Sequence, residues 1–149
     1  MAGRLVAAMF VLLLGGCSSG EDEPIPAACL GEPAAIAAAL ARAPGAVMLD
    51  DGTRLSTCVS RARTNGALQT LGVSFTRVAD DLRGRVSSDP QAAVAMGYLA
   101  GAVRAGAASS SIAVELARRI ERATALDAAA PQPAQSALQR GLRAGESSG

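Results

Sequence analysis

The clearest pattern in the chain is a stripe of apolar residues in its middle. The stripe consists of Leu68, Leu71, Phe75, Val78 and Leu82. Steps of three and four residues place such side chains on one face of an α-helix, and Ser56 ahead of the stripe is a suitable N-cap. We therefore predict one long helix from Ser56 to about Val86, with Asn65-Gly66 as a point where it breaks or bends.

Two shorter helices are predicted on either side of this long one. The first spans residues 33–43, because proline fits the first turn of a helix. The second has either Ser88 or Asp89 as its N-cap and runs to about Ala105, with Gly106 beyond its end. The apolar face of this second helix comprises Ala92, Met96, Leu99 and Val103.

The last third of the chain predicts two more helices. The serine cluster at residues 109–111 precedes a helix that ends before Pro131, and residues 134–144 form a last short helix. The apolar face of the first of these comprises Ile112, Leu116, Ile120 and Ala123. Beyond the last helix, we expect residues 146–149 to fray.

A turn signal interrupts the helical pattern near residue 50. Asp51-Gly52 stands between the apolar segment 46–49 and Leu55, and an Asp-Gly pair favours the tight turn of a β-hairpin. Two strands on their own are marginally stable. We therefore predict a short hairpin near residues 46–55 as an appendage of the helices.

The pattern as a whole predicts an all-α fold. We expect residues 29–145 to form a small antiparallel bundle of about four to five helices, because short connections join antiparallel neighbours. A ridge of small residues recurs every four positions, at Ala93, Gly97, Gly101 and Ala105. Such a ridge lets two helix backbones approach closely, either in a membrane or within one chain. Tyr98 and Arg104 favour packing within the chain.

The first 17 residues combine a basic residue, an apolar run and a cysteine. Leu5–Leu14 carries no charge, and it is shorter than the roughly 20 residues that a helix needs to cross a bilayer. A run of this length after Arg4 is typical of a signal peptide. The residues that follow, Leu14-Gly15-Gly16-Cys17, resemble the lipobox of bacterial lipoproteins.

This resemblance implies a processing route and a location. Residues 1–16 would be a signal peptide that signal peptidase II cleaves between Gly16 and Cys17, and Cys17 would carry a diacylglyceryl group. The mature protein would then be anchored outside the cytoplasm to the cell membrane, or to the outer membrane of a host that has one. Two acyl chains hold a protein on a membrane stably, whereas one binds marginally. An ordinary secretory signal with a coincidental cysteine is the alternative.

The segment after the lipobox is small, acidic and without apolar periodicity. We predict that residues 17–28 form a flexible tether. Once Cys17 is acylated, Cys29 and Cys58 are the remaining cysteines. In an exported protein such a pair is expected to form a disulfide, and two free thiols are the alternative.

Composition removes several classes of chemistry. The 149 residues include no His, and all 14 basic residues are Arg. A histidine base, a histidine metal ligand and a catalytic lysine are therefore excluded. The 14 basic and 13 acidic residues are nearly balanced and aromatic residues make up 2%, which argues against nucleic-acid binding. We predict no enzymatic activity, no cofactor and no metal.

Few side chains of the mature domain are candidates for a site. The acidic pairs Asp50-Asp51 and Asp80-Asp81 suit a cation, but the first fits a turn and the second diverges on a helix. The cluster Arg118-Arg119-Arg122 is a candidate basic patch, although glutamates at helical spacing favour a solvated face. Tyr98 is a candidate lining of a ligand pocket or, more often for a lone tyrosine, a core filler.

These observations predict a lipid-anchored envelope protein. Its helical domain would be a non-enzymatic module that binds another macromolecule or has a structural role. The alternative is a carrier of an apolar small molecule or lipid within the bundle. An unknown envelope protein is the expected kind of partner, and the sequence leaves the oligomeric state open.

Overall fold

Residues 23–149 are described by the computed structural model, and they form six α-helices and a short 3-10 helix without a β-strand. The 3-10 helix is Ala27–Leu30, and the helices are α1 (Pro33–Leu40), α2 (Leu55–Arg61), α3 (Asn65–Arg85), α4 (Pro90–Ala107), α5 (Val114–Thr124) and α6 (Gln132–Ser148). The predicted all-α class is confirmed, but the helices number six rather than four to five. The predictions for the signal peptide, Cys17 and the tether up to residue 22 lie outside the described residues.

The additional helix arises because the predicted helix from Ser56 to Val86 is in fact two helices. A break was predicted at Asn65-Gly66, but residues 62–64 separate α2 from α3 and Asn65 is already the first residue of α3. Thr64 has an extended backbone, and its side chain accepts a 3.1 Å hydrogen bond from the N–H of Ala67, which caps α3. The predicted apolar stripe is confirmed as the core face of α3, with Leu71, Phe75, Val78 and Leu82 buried.

The predicted β-hairpin near residues 46–55 is wrong, although its turn is present. Gly52 has a φ of +81°, a conformation that glycine adopts readily. The N–H of Leu49 donates to the carbonyl oxygen of Thr53 across the turn. No strands pair on either side within the described chain, because Val47 and Leu49 are buried in the helical core and Leu55 already begins α2.

The Asp51 carboxylate supports this turn, and its titration is a test of the geometry. Hydrogen bonds from the side chain and the backbone N–H of Thr53 lower the pKa of Asp51. Because the pKa is lowered on folding, this contribution to stability is present above the ordinary Asp value and is lost as the pH falls through the lowered value. Thr53→Ala is expected to raise the pKa of Asp51 in an NMR titration. Identical titration curves in both proteins would contradict the assigned side-chain hydrogen bond.

α4 is the central helix of the bundle. It contacts α1, α2, α3, α5 and α6, and every residue from Ala92 to Val103 is buried. Asp89 is its N-cap and accepts a 2.9 Å hydrogen bond from the N–H of Gln91. A helix that is apolar all round lies inside the protein. The sequence predicted one buried face, whereas α4 is buried on all sides over these residues. The helix also continues past Gly106 instead of ending before it.

The ridge of small residues on α4 packs against a matching ridge on α6. Gly97 and Gly101 of α4 approach the backbone around Gly141 and Gly145, and the two helices run in the same direction. A Cβ added at Gly97 would lie 2.7 Å from the backbone N of Leu142, nearer than real side chains pack. The ridge is therefore a packing surface within the chain, as Tyr98 and Arg104 indicated.

α6 is longer than the predicted helix over residues 134–144. Residues 146–149 were expected to fray, but the helix runs to Ser148. Glu146 forms a 2.6 Å ion pair with Arg104 of α4, which also pairs with Glu121 of α5 at 2.8 Å. Hydrogen bonds to Glu121, which have the larger effect, and to Glu146 raise the pKa of Arg104. These polar contacts hold the expected tail against two other helices.

The bundle has two ends. At the first, called the α2 end, α3 and α5 begin and α4 and α6 finish, and Gly106 of α4 packs against Ser56 and Val59 of α2. At the opposite end, α3 and α5 finish and α4 and α6 begin. There Arg83 of α3 donates a 3.2 Å hydrogen bond to the carbonyl oxygen of Arg122 in α5. The two ends therefore present different surfaces.

Candidate functional site

The first described residues join the bundle at its α2 end, close in sequence to Cys17. Glu23 forms a 2.6 Å ion pair with Arg61 in the last turn of α2, and Ile25 packs against the core. Residues 23–28 were predicted to belong to a flexible tether, whereas Glu23 and Ile25 contact the folded domain. This junction determines where the segment that carries Cys17 meets the bundle.

A disulfide between Cys29 and Cys58 reinforces the junction. The two sulfur atoms are 2.03 Å apart, the Cα atoms are 5.5 Å apart, and both residues are fully buried. The predicted pairing is confirmed over the alternative of two free thiols. Because the bond is shielded from solvent and joins the 3-10 helix to α2, we interpret it as structural rather than redox-active.

Sequence reasoning missed the docking of residues 23–28, although a signal was present. Ile25 is the large apolar residue between Cys17 and Cys29, and it lies between Pro24 and Pro26. A proline restricts the residue before it to an extended backbone. An isoleucine held in this way is better suited to a fixed contact than to a flexible tether.

An open apolar groove of about 570 Å³ lies at the opposite end of the bundle. It is formed by the connection between α3 and α4 and the connection between α5 and α6. Pro90, Leu126 and Pro131 contribute its apolar lining, and Arg83 and Asp127 contribute charged groups. This arrangement offers apolar contact beside one charge of each sign.

A second groove of about 570 Å³ runs between α1 and α3. Alanine side chains of α1 form one wall, and Arg77 and Asp81 of α3 belong to the other. Both grooves are open to solvent. Between the helices, the large side chains of Phe75, Tyr98 and Leu99 are fully buried.

Tyr98 is a core residue of α4. Its side chain is fully buried, and its hydroxyl lies 3.3 Å from the Oγ of Ser148 in α6. A buried tyrosine usually finds a hydrogen-bond partner for its hydroxyl. The structure therefore favours the core filler over the pocket lining for this residue.

Local contacts account for much of the remaining charge. Asp81 pairs with Arg85 at 3.3 Å, while Glu115 lies 3.3 Å from Arg122 and 4.0 Å from Arg118. Exposed pairs of this kind contribute little to stability. Across residues 23–149, no three or more His, Cys, Asp and Glu side chains are grouped so that they could hold a metal ion.

The hydropathy of the helices bears on membrane topology. Among the helices that the structure describes from residue 23 onward, none has both the length and the apolar character to cross a membrane.

Comparison with known proteins identifies no family for this chain. No protein-family model matches it, and no curated protein and no solved structure matches it.

Proposed function

We propose that this protein is a bacterial lipoprotein whose helical domain is held at the cell envelope by an acylated Cys17 and acts there as a non-enzymatic binding or structural module. The observation that carries the proposal is the segment Leu14-Gly15-Gly16-Cys17, directly after an uncharged apolar run. A thiol in this position is the nucleophile that accepts a diacylglyceryl group. The buried disulfide of the domain suits an exported protein, because disulfides persist in oxidising compartments.

The interior and the surface of the bundle favour docking over internal transport. An enclosed ligand site takes a cavity of about 300–1,000 Å³. The bundle interior is instead occupied by α4, which is buried all round, and the two grooves described above open to solvent. We therefore retain the binding or structural module as the conclusion rather than the carrier.

Cys17→Ala tests the proposed anchor. Without the thiol, the diacylglyceryl group has no acceptor, so we expect a protein that carries no acyl mass and retains residues 1–16. Intact mass spectrometry of protein purified from the membrane and soluble fractions measures both properties. The wild type is expected to begin at Cys17 and to carry the mass of the acyl chains.

Ser19→Ala is the matched control, because it changes a neighbouring small residue and leaves the lipobox intact. It is expected to be cleaved and acylated like the wild type. A wild-type protein that begins at Met1, or that begins at Cys17 without an acyl group, would overturn the proposal.

A further inference from the structure

We propose that the α2 end of the bundle rests on the lipid surface to which the protein is anchored, with Leu30, Ile112 and Val114 in contact with the bilayer. The inference rests on the proposed acylation of Cys17 and adds which face of the domain meets the membrane. The groove at the opposite end would then point away from the lipid.

The chain between the proposed anchor and the fold is short. From Cys17 to Glu23 there are six Cα–Cα steps, which span at most about 20 Å even when fully extended. Glu23 lies at the α2 end, 2.6 Å from Arg61 in an exposed ion pair, and the packing of Ile25 against the core holds the segment there. The Cα atom of Cys17 therefore lies within about 20 Å of the Cα atom of Glu23 at this end, whatever path the chain takes.

The bundle is longer than this link. α3 has 21 residues, which corresponds to about 30 Å along its axis. The opposite end therefore lies about 30 Å from the α2 end, farther than the roughly 20 Å that the link can span. A short link at one end and a long rigid body favour an orientation in which the α2 end is nearest to the bilayer.

Most of the exposed large apolar side chains lie at the α2 end. Leu30 (46% exposed), Ile112 (46%) and Val114 (40%) lie there, whereas Val73 (44%) lies in the third turn of α3 and Met48 (37%) in the connection between α1 and α2. Leu30 follows the cysteine that is bonded to α2, Val114 is the first residue of α5, and Ile112 lies two residues before it. Ile112 also lines a groove with Leu68 near the start of α3. Leu30, Ile112 and Val114 therefore belong to the end that the link holds near the lipid.

Charge does not select a particular headgroup at this end. Arg54 and Arg63 are exposed there, and Arg119 lines the groove of Ile112. Glu23 and Glu115 bring the opposite sign to the same end. Contact through apolar side chains requires no anionic lipid. Vesicles of phosphatidylcholine are therefore the appropriate probe.

The chain has no tryptophan, so a single introduced tryptophan reports on one position. We would compare Ile112→Trp at the α2 end with Ala128→Trp, an exposed position in the connection between α5 and α6 at the opposite end. Each acylated full-length mature protein is reconstituted into vesicles whose phosphatidylcholine carries bromine on its acyl chains. Bromine quenches tryptophan fluorescence only at close range.

The expected result is strong quenching and a blue shift for Ile112→Trp, with the emission of Ala128→Trp unchanged. Equal quenching at both positions, or no quenching at position 112, would overturn the proposed orientation. A blue shift of Ile112→Trp in detergent-free solution together with a doubled mass would also overturn it, because a second copy would then cover this surface. Val114→Trp, checked for helix content by circular dichroism, replaces Ile112→Trp if that variant misfolds.

The design separates this inference from the proposed function. Acylation of each variant is verified by intact mass before reconstitution. Absence of the acyl group refutes the anchor, whereas an acylated protein without quenching at the α2 end refutes the orientation alone.

Discussion

Gly97→Ala is expected to lower the free energy of unfolding by about 3 kcal/mol, at the upper end of the cost of overpacking a core. The added methyl would lie 2.7 Å from the backbone N of Leu142 and 2.9 Å from the carbonyl carbon of Leu138. These atoms belong to the backbone of α6 and cannot rotate away as a side chain does. α4 and α6 would have to separate, and both would lose packing. Urea denaturation followed by circular dichroism measures the effect.

Gly84→Ala is the matched control for this prediction. Gly84 also lies inside a helix, and a Cβ added there has no atom within 4 Å. Alanine is a better helix former than glycine, so this variant is expected to gain about 0.5–1 kcal/mol. Similar shifts in both variants, of the same sign, would contradict the close packing of α4 against α6.

Removing the disulfide is the second change with a large expected effect. Cys29 and Cys58 are 29 residues apart, and opening a loop of this length costs roughly 3–4 kcal/mol in the chain-entropy model. We expect the double variant Cys29→Ala/Cys58→Ala to be less stable than the wild type by about this amount. Urea denaturation is again the measurement.

A reducing agent supplies the control for this second prediction. Dithiothreitol is expected to bring the wild type close to the stability of the double variant and to leave the variant unchanged. Because alanine also removes buried sulfur atoms, the reduced wild type separates the effect of the bond from the effect of lost packing. Wild-type stability that does not depend on dithiothreitol would contradict a contribution from the bond.

The sequence predicted those parts of the fold in which one signal dominated. The apolar stripe ending at Leu82 predicted the buried face of α3. Two candidate N-caps, Ser88 and Asp89, were predicted for α4, and the N-cap in the structure is Asp89. The turn predicted at Asp51-Gly52 is present, but the hairpin prediction was wrong because the flanking residues pack into the helical core or belong to α2 instead of pairing as strands. Val47 and Leu49 are buried in the helical core, and tertiary packing overrides a weak β preference.

The pairing of α4 with α6 was only half visible in the sequence. The glycines of α4 stood out because apolar residues surround them. Gly141 and Gly145 have the same spacing but lie among polar and charged residues, and the last helix was predicted to end at residue 144. A ridge of small residues has no apolar side chains to mark it, so spacing alone had to identify it.

Some features of the candidate site were predictable from the sequence and others were not. The disulfide followed from the count of cysteines and the expected compartment, and the structure confirms it. The contacts of Glu23 and Ile25 depend on where α2 lies in space, which local patterns do not encode. The resemblance to a lipobox could be recognised from the sequence because such a motif is a short contiguous segment, and the acylation of Cys17 stays a prediction.

The partnership between α4 and α6 also has a consequence for how the domain assembles. The facing glycines are separated by all of α5 and its two connections, so the middle helix gains its cover only when the last helix arrives. A chain interrupted before Gln132 would leave one side of an apolar helix bare, a condition that promotes aggregation. The core of the domain is therefore complete only after α6 has been synthesised. A chain that terminates earlier would be an aggregation-prone fragment rather than a smaller folded domain.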